Sequence, residues 1–164
     1  APYVGAGSEP VPDPAPHPVA RRRGRWDGWE AMNAHFAQRP PYMHWQAEIL
    51  ADYCRHGLLP AADGEGWELA CPPALEASVY LSALRTDPRD WLDRIAAPVS
   101  VIRARGGDRA NDLDFSISPT WPELGAMLSA ARDEQWGEHS HFIPMEAPER
   151  LAALIADELA ADQG

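Results

Sequence analysis

The segment from Glu138 to Arg150 places a histidine-containing loop directly before a C-terminal helix. After this loop, four apolar side chains recur at the intervals i, i+3, i+4 and i+8: Leu151, Leu154, Ile155 and Leu159. This spacing predicts a helix over residues 151–161 with one apolar face. Pro148 suits its first turn, where the missing N–H costs nothing. His141 is therefore expected on a loop at the start of a helix, a position suited to proton transfer.

The run Ser140–Glu149 resembles the C-terminal region of α/β-hydrolases, where Gly/Ser-His-Phe-x-Pro-x-Glu-x-Pro-Glu carries the histidine of the catalytic triad. The resemblance implies an α/β fold and a general-base role for His141. His139 occupies a place where that family usually has glycine. From the residues alone, a histidine that packs against the following helix is the better interpretation of His141, because a lone histidine near an apolar run is weak evidence for catalysis.

Three segments differ in composition and predict the domain organisation. Residues 1–25 are rich in proline and read as an extended connector with little secondary structure. Residues 26–86 predict short helices over 27–36, 47–56 and 73–84, separated by Pro and Gly turns. This pattern resembles the cap, or lid, of α/β-hydrolases. Residues 87–164 are expected to form the C-terminal part of the hydrolase core.

The last segment has the pattern of half an α/β domain. A helix is predicted over 87–95, a β-branched strand over 99–104, a helix over 122–131 and a short extended piece at 135–136. The expected fold is thus the C-terminal part of an α/β-hydrolase sheet plus a helical cap, completed by another chain.

The resemblance also implies a carboxylate after the strand that follows the cap, since a triad acid orients the histidine and stabilises the imidazolium. Asp108 follows the predicted strand across Gly106-Gly107 and is the first candidate. Asp112 and Asp114 are the fallbacks, because the family's Gly-x-x-Asp spacing is not reproduced. Each of these residues also fits a solvated loop acid.

The nucleophile expected from the resemblance is absent from the sequence. α/β-Hydrolases carry it in a Gly-x-Ser-x-Gly elbow before the acid and the histidine, and residues 1–164 contain no such elbow. We therefore expect a separate N-terminal chain that supplies the nucleophile, arising from precursor cleavage or a split gene.

The substrate prediction rests on aromatic residues. Trp45 and Tyr53 of the predicted cap and Phe142 of the histidine loop are the candidate substrate-binding residues, and they favour a small apolar substrate. The resemblance to α/β-hydrolases implies that this substrate carries an ester or lactone-like bond. An epoxide or carbon–carbon bond hydrolase with a different nucleophile stays an alternative. A second class of function is a non-catalytic ligand-binding or interaction module that kept the fold.

Composition restricts partners and location. The net charge of −11 and the pI of about 4.8 argue against nucleic acid and anionic membranes as partners. No apolar run approaches a membrane span, the first twenty residues lack a signal-peptide core, and two cysteines make no secreted framework, so a cytoplasmic location is expected. His139 and His141 could pair on a metal, but no third ligand lies near, and neither metal nor cofactor is predicted.

Overall fold

The computed structural model describes residues 12–83, 88–111, 113–128 and 132–161. The α-helices are α1 (Trp29–Phe36), α2 (Ala47–His56), α3 (Pro73–Ala83), α4 (Leu124–Met127), α5 (Ile143–Glu146) and α6 (Pro148–Ala161). The strands are β1 (Arg25–Trp26), β2 (Leu58–Pro60), β3 (Trp67–Leu69), β4 (Ser100–Arg103) and β5 (Arg132–Gln135). Short 3₁₀ helices cover Pro18–Arg21, Tyr42–His44 and Pro88–Arg94.

The described residues form two compact units. One contains the residues up to Gly28 together with Gly57–Pro88, and the other contains Trp29–His56 and the residues from Arg89 onward. The segment 26–86, predicted as a cap, therefore contributes residues to both units.

A three-stranded antiparallel sheet with the strand order β1-β3-β2 organises the first unit. Buried side chains of all three strands, Trp26, Leu58 and Leu69, form its apolar side. The turn between β2 and β3 needs Gly66, because its φ is +75° and a Cβ there would lie 3.0 Å from the carbonyl oxygen of Trp26.

The predicted connector 1–25 carries more secondary structure than expected. Residues 1–11 lie outside the described part, but Pro18–Arg21 form a 3₁₀ helix that packs on α3, and Arg25 begins β1. Arg22 forms an ion pair with Glu76 of α3 at 2.7 Å. These tertiary contacts hold a proline-rich segment whose local sequence gives no periodic signal.

A parallel pair of strands, β4 and β5, forms the sheet of the second unit, with Ser100 opposite Arg132 and Arg103 opposite Gln135. Its core contains Ala104, Trp136 and Ile143. Leu151 and Leu154 of α6 pack against that core, as their helical spacing predicts, whereas Ile155 and Leu159 are 50% and 61% exposed. Glu158 fastens the far end of α6 to the sheet through Ser100 at 3.0 Å and Arg132 at 2.9 Å.

Helices α1 and α2 belong to the same unit and pack against each other around Met32, Leu50 and Cys54, all buried. The start of α2 is joined to the region around α5 and α6. The amide of Gln46 donates to the carbonyl of Met145 at 2.9 Å, and the side chain of Gln46 donates to Glu149 at 2.8 Å.

Two predicted helices differ from the structure. The segment predicted as a helix over 87–95 is a 3₁₀ helix, and the one predicted over 122–131 is α4, with residues 129–131 outside the described part. In the described part, every helix is too short or too polar to cross a lipid bilayer.

Candidate functional site

The loops that follow β4 and β5 meet at the carboxyl-terminal end of the parallel sheet. Both strands run in the same direction, so their carboxyl ends lie side by side, where open α/β sheets place their ligand sites. The amide of Arg105 donates to the carbonyl of His139 at 3.0 Å, and the amide of His141 donates to the carbonyl of Phe115 at 2.9 Å. His141 is thus held between the two loops.

The ring of His141 is partly exposed to solvent and contacts two aromatic neighbours. It stacks on Phe115 with a centroid distance of 5.6 Å and an interplanar angle of 25°, and it meets Phe142 edge-on at 5.7 Å. His141 also lines a cavity of about 320 Å³, together with Ser118, Thr120 and Ile143. The imidazole therefore faces a space large enough for part of a small substrate.

Two effects lower the pKa of His141 below its ordinary value. Desolvation by its neighbours is the larger cause, and the positive charge of Arg109 adds to it. Both disfavour the imidazolium, so the ring is more completely neutral near pH 7 than a solvated histidine would be. A neutral imidazole has a free ring nitrogen and is able to accept a proton.

Neither Asp108 nor Asp114, the two predicted triad acids in the described part, is hydrogen-bonded or ion-paired to the His141 ring. Asp108 is exposed, and no hydrogen bond or ion pair joins it to His141. The carboxylate of Asp114 instead accepts hydrogen bonds within its own loop, from the Ser116 hydroxyl and from the amides of Ala110 and Ser116. These bonds, that of the Ser116 hydroxyl above all, hold the pKa of Asp114 below its usual range. Asp112 lies outside the described residues. The assignment of Asp108 as the acid stays a prediction.

The three predicted substrate-binding side chains come together in one aromatic cluster. The Trp45 ring lies 5.3 Å from that of Tyr53 and 5.2 Å from that of Phe142, centroid to centroid. Trp45 is only 8% exposed, whereas Tyr53 and Phe142 are half-buried. The walls of the cavity at His141 come from other residues, so the substrate role of the three aromatic side chains stays a prediction.

Sequence reasoning missed the polar network beside His141. The carboxylate of Glu146 accepts from the amide and the hydroxyl of Ser140 and lies 3.2 Å from Nδ1 of His139. Glu146 belongs to the run that resembles the hydrolase motif, but nothing in the residue pattern shows that its side chain turns back onto the loop.

The two histidines of the loop have different neighbours. His139 faces carboxylates, while His141 faces aromatic rings. Across the described ranges, no group of three or more His, Cys, Asp or Glu side chains is placed to hold a metal ion.

Comparison with known proteins gives a match in structure alone. No protein-family model and no curated protein matches the sequence. Among solved structures, the α/β-hydrolase E-2-(acetamidomethylene)succinate hydrolase matches with a TM-score of 0.58 over 81% of this chain, at 17% identity. The chain spans 46% of that enzyme's length. The chain therefore shares its fold with part of an α/β-hydrolase, and the predicted α/β class is confirmed.

Proposed function

We propose that this chain is the C-terminal part of a serine-type α/β-hydrolase and supplies His141 as the general base. The observation that carries the proposal is the position of His141 on the loop after the second parallel strand, with its ring lining a cavity and its pKa lowered. The shared fold with a hydrolase supports it.

The chemistry follows from the properties of serine and imidazole. A serine hydroxyl is a weak nucleophile at its own pKa, so it needs a base within hydrogen-bond reach. His141 would take the hydroxyl proton as the serine attacks an ester or lactone carbonyl, and would return that proton to the leaving oxygen. Asp108 is proposed as the carboxylate that steadies the imidazolium, with Asp112 and Asp114 as fallbacks.

The nucleophile is proposed to come from a separate N-terminal chain. Among the described residues, the second sheet contains β4 and β5 alone, which leaves one edge of β4 open to another strand. Beside it, a groove of about 390 Å³ lies between β4 and α6, where Ile155 and Leu159 are exposed. A partner that covered this apolar surface would complete the sheet. The proposal keeps the cytoplasmic location predicted from composition.

One observation favours a second candidate, a non-catalytic ligand-binding or interaction module. A working triad histidine is oriented by a carboxylate, and no described carboxylate hydrogen-bonds the His141 ring. In that case the cavity would bind a ligand without turnover.

The test uses the native protein, with any polypeptide that co-purifies, and p-nitrophenyl acetate as the ester. The intact mass of the native complex is expected to reveal a second chain, and the sequence of that chain is expected to contain Gly-x-Ser-x-Gly. His141→Ala should lower kcat by about 10³-fold or more, as loss of a triad member does. His139→Ala should have a much smaller effect. Full activity of the His141→Ala protein would overturn the proposal, and absence of any ester hydrolysis by the wild-type complex would favour the binding module.

A further inference from the structure

A buried carboxylate lies beneath the loop that carries His141. Glu146 is the last residue of α5, and its side chain is only 7% exposed. It points back across six residues to Ser140, whose amide donates to it at 3.0 Å and whose hydroxyl is also hydrogen-bonded to it. Because a buried polar group is costly unless it is hydrogen-bonded, these donors fix the direction of the side chain.

The backbone of the loop has a partner for each of its successive amides. The amide of His139 donates to the carbonyl oxygen of Trp136 at 3.1 Å, and the amide of His141 donates to that of Phe115 at 2.9 Å. The amides of Ser140 and Phe142 depend on side chains instead. Ser140 donates to Glu146, and Phe142 donates at 3.2 Å to the Ser140 hydroxyl that Glu146 holds. Glu146 therefore anchors the amides on either side of His141.

A third donor comes from the ring of His139, which has Nδ1 at 3.2 Å from Glu146. Its Nε2 lies 3.6 Å from Glu138, and Glu138 in turn pairs with Arg150 of α6 at 2.5 Å. The residue before Ser140 is thus tied to the same carboxylate. Loss of the acceptor would release several groups of the loop together.

We propose that Glu146 is a positioning residue, whose buried carboxylate holds the loop 139–142 so that the His141 imidazole keeps a single direction. Glu146 does not touch the reacting atoms and acts through Ser140. The inference rests on the proposed role of His141 as general base. It adds that the geometry of the base depends on a side chain five residues further along the chain.

Two substitutions of similar size distinguish the role of the Glu146 carboxylate as a hydrogen-bond acceptor from its role in filling space. Glu146→Gln keeps an oxygen acceptor, whereas Glu146→Leu fills the same space without one. In the native complex, amide hydrogen exchange at Ser140, His141 and Phe142 should rise about tenfold or more in Glu146→Leu, while exchange in β4 and β5 stays unchanged. With p-nitrophenyl acetate, kcat should fall by about tenfold to a hundredfold at constant KM, since a small misplacement of a catalytic group has that effect. Glu146→Gln should retain most of both properties.

Asp157→Asn is the control, because it removes an exposed carboxylate of α6 away from the loop and should leave exchange and kcat as in the wild type. Equal behaviour of Glu146→Leu and Glu146→Gln would overturn the inference, as would faster loop exchange with unchanged kcat. Should Glu146→Leu fail to fold, Ser140→Ala removes the relay to Phe142, and wild-type exchange there would overturn it. His141→Ala, measured in parallel, tests the proposed function separately.

Discussion

Two histidines separated by one residue lie in opposite surroundings. His139 lies between the carboxylates of Glu146 and Glu138, which are 3.2 and 3.6 Å from its two ring nitrogens. The His141 ring stacks on Phe115, and its desolvation together with the positive charge of Arg109 disfavours the charged ring. The environment of His141 suits a proton acceptor, because it favours the neutral ring. The structure therefore distinguishes the two histidines, which the residues alone did not.

The pH dependence of activity should report the environment of His141. Because its pKa is lowered, the deprotonated base persists further into acid, and kcat/KM should reach half of its plateau below the ordinary histidine value of 6.5. Arg109→Gln removes the positive charge that contributes to the lowering, so the acid limb should move to higher pH. A pH–rate profile of both proteins measures this shift.

Arg55→Gln provides the control, because it removes the same charge from α2, where Arg55 pairs with Asp52. Its acid limb should match that of the wild type. An acid limb of Arg109→Gln at or below the wild-type position would contradict the prediction.

The lowered pKa of His141 also affects the stability of the fold. Between the folded and the unfolded pKa of His141 the unfolded chain binds more protons, so this group makes the fold less stable as the pH falls through that window.

At the scale of elements, the 3₁₀ turn Tyr42–His44 and helix α2 are joined through Trp45. This side chain packs against Tyr42 at 4.9 Å, Tyr53 at 5.3 Å and Phe142 at 5.2 Å between ring centroids. It is almost fully buried, which is typical of a residue that holds elements together. Tyr53 and Phe142 retain more exposed surface.

Trp45→Ala should therefore lower the free energy of unfolding by about 3–5 kcal/mol, the usual cost of truncating a buried aromatic residue. Met43→Ala is the matched control, because Met43 lies two residues away and is 51% exposed. Its effect should stay within about 0.5 kcal/mol. Urea denaturation of the native protein measures both. If Trp45→Ala changes substrate preference and leaves stability intact, the residue faces substrate instead.

The sequence predicted the elements that complete several helical turns. Helices α1, α2, α3 and α6 lie close to their expected bounds, because apolar side chains at 3.6-residue spacing give a signal over many residues. Strand β1, with two residues, is too short for an alternating pattern, whereas the sequence predicts a short extended segment over 67–71, where β3 lies, but not the strand with which it pairs. Their pairing depends on contacts between Arg25 and Glu68 and between Trp26 and Trp67, which lie about forty residues apart in the sequence.

For the candidate site, the loop that carries His141 could be predicted, but its supporting contacts could not. The position of His141 before a proline-initiated helix is a local property of the chain. The return of Glu146 onto Ser140 and the stacking of Phe115 on His141 depend on the paths of two loops. Likewise, the direction of the Asp108 carboxylate cannot be predicted from the number of residues between Asp108 and its strand.

At the scale of the whole molecule, the apolar groove between β4 and α6 tests the proposed partner. Ile155→Glu places a charge on the exposed side of this groove and should abolish co-purification of the N-terminal chain, because a buried unpaired charge opposes association. Ala153→Glu is the control, since Ala153 lies on α6 outside the groove. Native mass spectrometry of the two variants gives the result, and retention of the partner by Ile155→Glu would contradict the interface.

The backbone bond from Gln46 to Met145 limits how this molecule can be recombined. Together with the bond from Gln46 to Glu149 and the contact of Trp45 with Phe142, it joins the entry of α2 to the segment directly after His141. A chimera that imported residues 29–56 from another protein would therefore also replace part of the scaffold around the His141 loop. To keep that scaffold intact, such a graft has to carry residues 142–149 with it.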